Sequence, residues 1–234
     1  MDLGGIQIDV IRKDIKNVHL SVLPPDGRVR LSAPKRMNDE TLRAYTLTRL
    51  TWIRQQQRKL AGQPRETRRE YLPRESHYVW GERCLLKIVE ADAPPSVSRK
   101  NKKLVLQVRR GADRDRRAEL LAAWYRMQIR ERVDAILPEW ERRLKVRMNA
   151  LFVQHMRTKW GSCNPTKRNV RLNTELAKKP PECLEYILVH ELIHMIEPTH
   201  NERFVRLMSK HMPDCRSRRY VLNALPVAHE DWGY

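Results

Sequence analysis

Residues 181–204 read PECLEYILVHELIHMIEPTHNERF, and the rest of the chain is organised around them. At their centre is His190-Glu191-Leu192-Ile193-His194. Each residue of an α-helix turns about 100°, so positions four apart share a face. His190 and His194 therefore point the same way, one turn apart. Two neutral imidazoles at that spacing can grip one zinc ion at about 2.0–2.1 Å. Glu191 lies beside them, placed to take a proton from a water on the metal. A catalytic zinc keeps three protein ligands and one position for water. Glu197 would share the helical face of His194, but Pro198 follows it, and a residue before proline is pushed out of the α region. The spacing predicts a helix that stops at about Ile196 and a turn across 197–200. His200 then swings back as the third ligand. Glu197 either supports the site or replaces His200 as a ligand.

The flanks fit a buried helix. Leu184, Ile187, Leu188, Val189, Leu192, Ile193, Met195 and Ile196 are apolar, and Pro181 with Glu182 and Glu185 makes a good helix start. The competing reading is a core helix whose histidines are merely hydrogen-bonded. Placing two histidines and a glutamate within five residues of such a helix is costly unless they share a partner. A metal ion is that partner.

Three segments together, MRTKWGSC (156–163), NVRLN (169–173) and VHELIHMIEPTHNERF (189–204), carry a resemblance to the YgjP-like metallopeptidases. That family is similar to the SprT-like proteases among the zincins. The match is dense over residues 151–210 and looser before them. It implies zinc on His190, His194 and His200, with Glu191 as general base. It also implies a substrate cleft approached by Lys159, Trp160, Gly161 and Ser162. Phe204 falls at the family's phenylalanine position.

The chain of 234 residues carries a formal net charge of +19, densest over 98–147. Such an excess favours polyanions such as nucleic acid, or acidic substrates, while the plainer reading is a solvated arginine-rich surface. Cys84, Cys163, Cys183 and Cys215 form no CxxC pair, which argues against a zinc ribbon or disulfide framework and for reduced thiols in the cytoplasm. No segment resembles a signal peptide, and none approaches the roughly 18 apolar residues of a membrane span.

The expected architecture is α+β. Residues 6–12, 18–23 and 28–33 alternate apolar and polar, with a turn at Pro24-Pro25-Asp26-Gly27, and predict an antiparallel three-stranded meander. Asn38 caps one helix over 39–60, ended by Gly62 and Pro64. Residues 77–90 and 103–109 read as strands that complete this first sheet, and Trp52, Tyr78 and Trp80 as core aromatics. A long helix spans 113–147, split or kinked at Pro138, with Arg126, Arg130, Arg132, Arg142 and Arg143 opposite its apolar side. Residues 151–156 and 168–173 read as a hairpin beside the active-site helix. Asn201 caps a helix over 201–211, packed through Phe204, Val205 and Met208. The regional division is a strand-rich part, 1–110, and a helical zincin-like part, 111–234, which can also form one continuous domain.

The function expected is therefore a cytoplasmic zinc metallopeptidase acting on peptide or protein. Two alternatives use the same centre. One is a metal-dependent phosphohydrolase acting on nucleotides. The other is a protease of SprT-like type associated with nucleic acid. Ser162 and Cys163 lack the GxSxG elbow of a nucleophile. The sequence names no oxyanion donor; Arg203, Tyr220 and His229 lie in the right general region and nothing more.

Overall fold

The computed structural model describes residues 1–23, 26–62 and 67–226. Pro24 and Pro25 of the expected first turn, Pro64, and His229 with the rest of the tail from 227 lie outside them. The described residues divide into two compact units, 1–62 and 67–226. Each has its own hydrophobic core.

In the first unit, β1 (Asp2–Leu3), β2 (Ile6–Lys13), β3 (His19–Leu23) and β4 (Arg28–Pro34) form one sheet in the order β1-β2-β4-β3. β2 runs parallel to β4, with Ile8 beside Val29 and Val10 beside Leu31, and β3 pairs antiparallel with β4 on its other edge. The expected meander is thus corrected. Alternation fixes which face of a strand is buried but not which neighbour it takes. The single helix expected over 39–60 is two, α1 (Asp39–Leu47) and α2 (Leu50–Ala61). The Asn38 side chain accepts from the Thr41 amide at 2.8 Å, as a cap should. The Thr46 and Thr48 hydroxyls then donate back to the carbonyls of Leu42 and Tyr45, at 2.7 and 2.8 Å. Such back-bonding competes with the helix ladder and accompanies the break. Leu3, Ile8, Val29, Leu31, Leu42 and Ile53 fill the core, while Trp52 is exposed rather than buried.

The second unit opens with its own sheet, β5 (Ser76–Val79), β6 (Glu82–Glu90), β7 (Ser96–Lys100) and β8 (Lys103–Val108), so these strands do not extend the first. The stretch read as one strand over 77–90 turns back at Trp80-Gly81, whose φ angles of 52° and 81° are both positive. Gly4-Gly5 make the same two-residue turn at 61° and 79°. That is the primed turn favoured in tight hairpins. The order β5-β6-β8-β7, with β6 parallel to β8 and β7 antiparallel to β8, repeats the design of the first sheet strand for strand. Tyr78 lies half exposed on it and Trp80 is partly buried.

The long helix α3 (Arg114–Leu144) is capped by Asp113, which accepts from the Arg116 amide, and it runs through Pro138 unbroken. The proline removes one ladder bond. Val133, Trp140 and Leu144, all buried on the inner face, hold the segment in place. β9 (Ala150–Gln154), β10 (Gly161–Asn164) and β11 (Asn169–Asn173) follow in the order β10-β11-β9. β9 and β11 are parallel neighbours, not a hairpin; the hairpin is β10 with β11. A 3-10 turn, Thr174–Lys178, then leads into α4 (Pro181–Ile193), α5 (Glu202–His211) and α6 (Cys215–Ala224).

α4 is apolar almost all round and lies in the middle of the second core, as such a helix must. Val79, Leu86, Leu104 and Leu106 of the second sheet share that core with Leu121 and Ile129 of α3 and Leu188 of α4. The division into compact units falls between 62 and 67. The whole is α+β, with mixed sheets and packed helices. Among the described residues, no helix is long and apolar enough to cross a membrane.

Candidate metal centre

α4 ends at Ile193, with His194 as its cap and a turn carrying the chain through Ile196 and Glu197. His190 projects from the last helical turn. His200 arrives from the loop before α5, whose start is fixed by the Asn201 side chain accepting from the Phe204 amide at 3.0 Å. The ring centroids of His190, His194 and His200 lie 4.6–4.9 Å apart. One ligand atom from each falls within 4.8 Å of the others. Phe204 packs against all three rings at 4.7–4.8 Å between centroids.

The donors suit a divalent cation. The Nδ1–H of His194 donates to the Glu197 carbonyl at 3.1 Å, which leaves Nε2 with its lone pair. Such a bond fixes both tautomer and ring orientation in histidine metal sites. The Nε2 atoms of His190 and His200 face each other at 2.9 Å. With a proton on one Nε2 the two rings hydrogen-bond to each other, and with both nitrogens bare a shared cation takes both lone pairs. Tetrahedral ligation at about 2.05 Å asks for a nitrogen separation of about 3.3 Å, a small adjustment. Burial is the main force pushing His190 down to about 4, reinforced by the other two imidazoles and Arg219. Burial also holds His200 below its ordinary value. These rings stay neutral and ligand-competent at physiological pH.

Glu191, 5 % exposed, sits on the neighbouring stripe of α4. Burial pushes its carboxyl up to about 7, and the positive charge of Lys159 pulls the other way. Gly161 of β10 lies directly against it. A Cβ there would come within 2.7 Å of Glu191 Oε1 and 2.9 Å of Ile187 Cγ2. The bend before β10 is tied down by Asn173, whose Nδ2 donates to the carbonyls of Met156 and Lys159 at 2.7 and 2.8 Å. The amide of Asn173 donates to the Trp160 carbonyl at 2.9 Å. Ser162 pairs with Arg171 in the ladder. The Cys163 thiol is pushed up to about 11, chiefly by burial, so it stays protonated and inert.

Glu197 stands outside the three-histidine cluster. Its Oε1 accepts from the Thr199 amide and hydroxyl at 3.3 and 2.9 Å, and Arg203 lies 3.7 Å from Oε2. It stiffens the turn that carries His200. Arg203 is largely exposed beside Glu197, and Tyr220 is 76 % exposed. Val205, expected to pack inward, is exposed at the rim of a cavity beside the triad. Sequence reasoning missed Arg219, whose charge bears on His190, His200 and Tyr186. Its place on the same side of α6 as buried Cys215, four residues earlier, was the available signal.

The YgjP-like metallopeptidase domain family matches residues 16–225. Among solved structures, the crystal structure of the metallopeptidase zymogen of Methanocaldococcus jannaschii jannalysin is similar at 22% identity and a TM-score of 0.35. It covers 38% of this chain and 92% of that one. A search of curated proteins finds no match.

Proposed function

Because the chain belongs to the YgjP-like metallopeptidase family, we propose that His190, His194 and His200 hold zinc and that Glu191 serves as general base in peptide hydrolysis. The observation that carries this reading is the convergence of three imidazoles beside a buried carboxylate. Bound there, zinc supplies Lewis acidity and brings the acidity of a coordinated water toward neutral pH. His194 holds its Nε2 toward the site by donating from Nδ1 to Glu197. Glu191 takes a proton from the attacking water on its carboxylate and returns it to the leaving amine nitrogen. A carboxyl that ionises near 7 suits both steps, because the best proton-transfer group has a pKa near the working pH. β10 is an edge strand of its sheet and lies against Glu191, so an extended peptide can be held there by main-chain hydrogen bonds.

Glu191→Gln should abolish turnover of unfolded peptides while one zinc per chain remains by metal analysis. His200→Ala should lose the zinc, and Glu197→Ala should keep it. Full activity in Glu191→Gln would remove the mechanism. Nucleoside triphosphates assayed in parallel separate peptidase from phosphohydrolase action. The charge of +19 supports a further property, association with nucleic acid. It is tested by duplex binding that falls steeply as salt is raised.

A further inference from the structure

A cavity of about 430 Å³ opens beside the histidine cluster, between α4, α5 and α6. Tyr186, Phe204 and Met208 supply its apolar wall, and His190 and His200 border it. Two arginines also line it, Arg216 and Arg219, three residues apart on α6. The third arginine of that helix shows what a structural role looks like. Arg218 donates to Glu185 at 2.5 Å and to Asp214 at 2.7 Å, and Trp140 donates to the other Glu185 oxygen at 2.9 Å. That clip ties α6 to α4 and α3. Arg216 and Arg219 have no carboxylate partner among the described residues. The cavity therefore combines ring-lined walls with a pair of guanidinium groups that have no carboxylate partner among the described residues, next to the centre proposed to cut the peptide bond.

We infer that this cavity is a substrate pocket for a carboxylate, seated on Arg216 and Arg219 when a peptide lies across the histidine cluster. Guanidinium groups match carboxylates with paired hydrogen bonds, and Arg216 and Arg219 are both exposed and so open to an incoming peptide. The volume is of the size that takes one side chain, within the usual range of small-ligand sites. Glu191 and Ile187 face β10, while Tyr186 and His190 face the cavity. Those are adjacent stripes of α4, so the edge strand and the pocket flank the same centre. The carboxylate has two sources in a peptide, an acidic side chain or the free C-terminus. The pocket adds a preference to the peptidase reading and rests on it.

The test uses the zinc-loaded full chain and matched pentapeptides. One arm sets a central Glu against Gln with an amidated C-terminus. The other keeps Gln and sets a free C-terminal carboxylate against the amide. In one arm or both, kcat/KM for the carboxylate form should exceed its neutral partner by about ten- to a hundredfold, the range for a hydrogen-bonded charge. In Arg216→Gln/Arg219→Gln that ratio should fall to about one, and Arg219→Lys should keep part of it. Circular dichroism and zinc content establish that the variants fold and load. A ratio near one in the wild type, or a ratio that survives the double substitution, overturns the inference. If no peptide is cut, the peptidase reading fails by itself. Calorimetric binding of the same peptides then decides the pocket: an arginine-dependent carboxylate preference upholds it, and equal binding overturns it.

Discussion

Glu191 keeps only 5 % of its surface in water, and burial lifts its carboxyl from an ordinary 4.5 to about 7. In metal-free protein this has a definite sign. Below the unfolded value both states hold the proton and burial costs nothing. As the pH rises toward 7 the unfolded chain ionises first, so the folded state loses stability, and the loss is complete once the folded carboxyl also ionises. Glu191→Gln removes that penalty. Thermal melts in chelator should show it stabilised relative to wild type by about 2–3 kcal/mol at pH 8, and by under about 1 kcal/mol at pH 5. A pH-independent difference would mean that the carboxylate is not desolvated in solution. Gly161 answers to the same carboxylate. Its missing Cβ leaves the space that Glu191 Oε1 and Ile187 Cγ2 occupy. In Gly161→Ala the helix backbone under Ile187 cannot yield cheaply, so the glutamate must move. Turnover per bound zinc should drop about a hundredfold, the usual effect of a misplacement near 1 Å, with about 1–3 kcal/mol lost from overpacking. Unchanged turnover per zinc would show the close fit to be incidental.

Among the elements, α5 decides whether three imidazoles become one site. Its N-cap, Asn201, sets the approach of His200, and Phe204 one turn later lies under all three rings. Phe204→Ala should cost about 3–5 kcal/mol in the folded protein and weaken zinc affinity, whereas Phe204→Leu should keep most of both. Melts and competitive chelator titration measure the two effects. A variant that loses stability but not zinc affinity would make the ring mere filling. This element was legible in the sequence because its signals are local: Asn201 as cap, Pro198 as stop, and the spacing from His190 to His194. The sheets were less legible. β9 and β11 carry the same alternation whether they pair in parallel or as a hairpin, and the β10 pairing lies in residues that read as loop. Pro138 misled for the opposite reason, because the buried residues flanking it outweigh the lost ladder bond.

At the scale of the molecule, one strand design occurs twice and the putting together of chemistry occurs once. β1-β2-β4-β3 and β5-β6-β8-β7 share order and sense, yet IQIDVIRK and ERCLLKIVE share little beyond apolar alternation, which is why the repeat is visible only in the pairing. The second copy joins the core that also holds α3 and α4, and the first closes a core of its own with Leu42 and Ile53. Every residue assigned to the metal, to Glu191 and to the arginine pocket belongs to the second unit. A chain beginning at residue 67 should therefore bind one zinc, with a chelator-competition midpoint within a few fold of the full protein, because its ligands and the core beneath them are intact. Its peptide turnover should follow its zinc content. Metal analysis and turnover on the same preparation read both quantities. Loss of zinc from a truncated chain that still melts cooperatively would show that residues 1–62 contribute to holding the centre together, and that the two cores do not act independently.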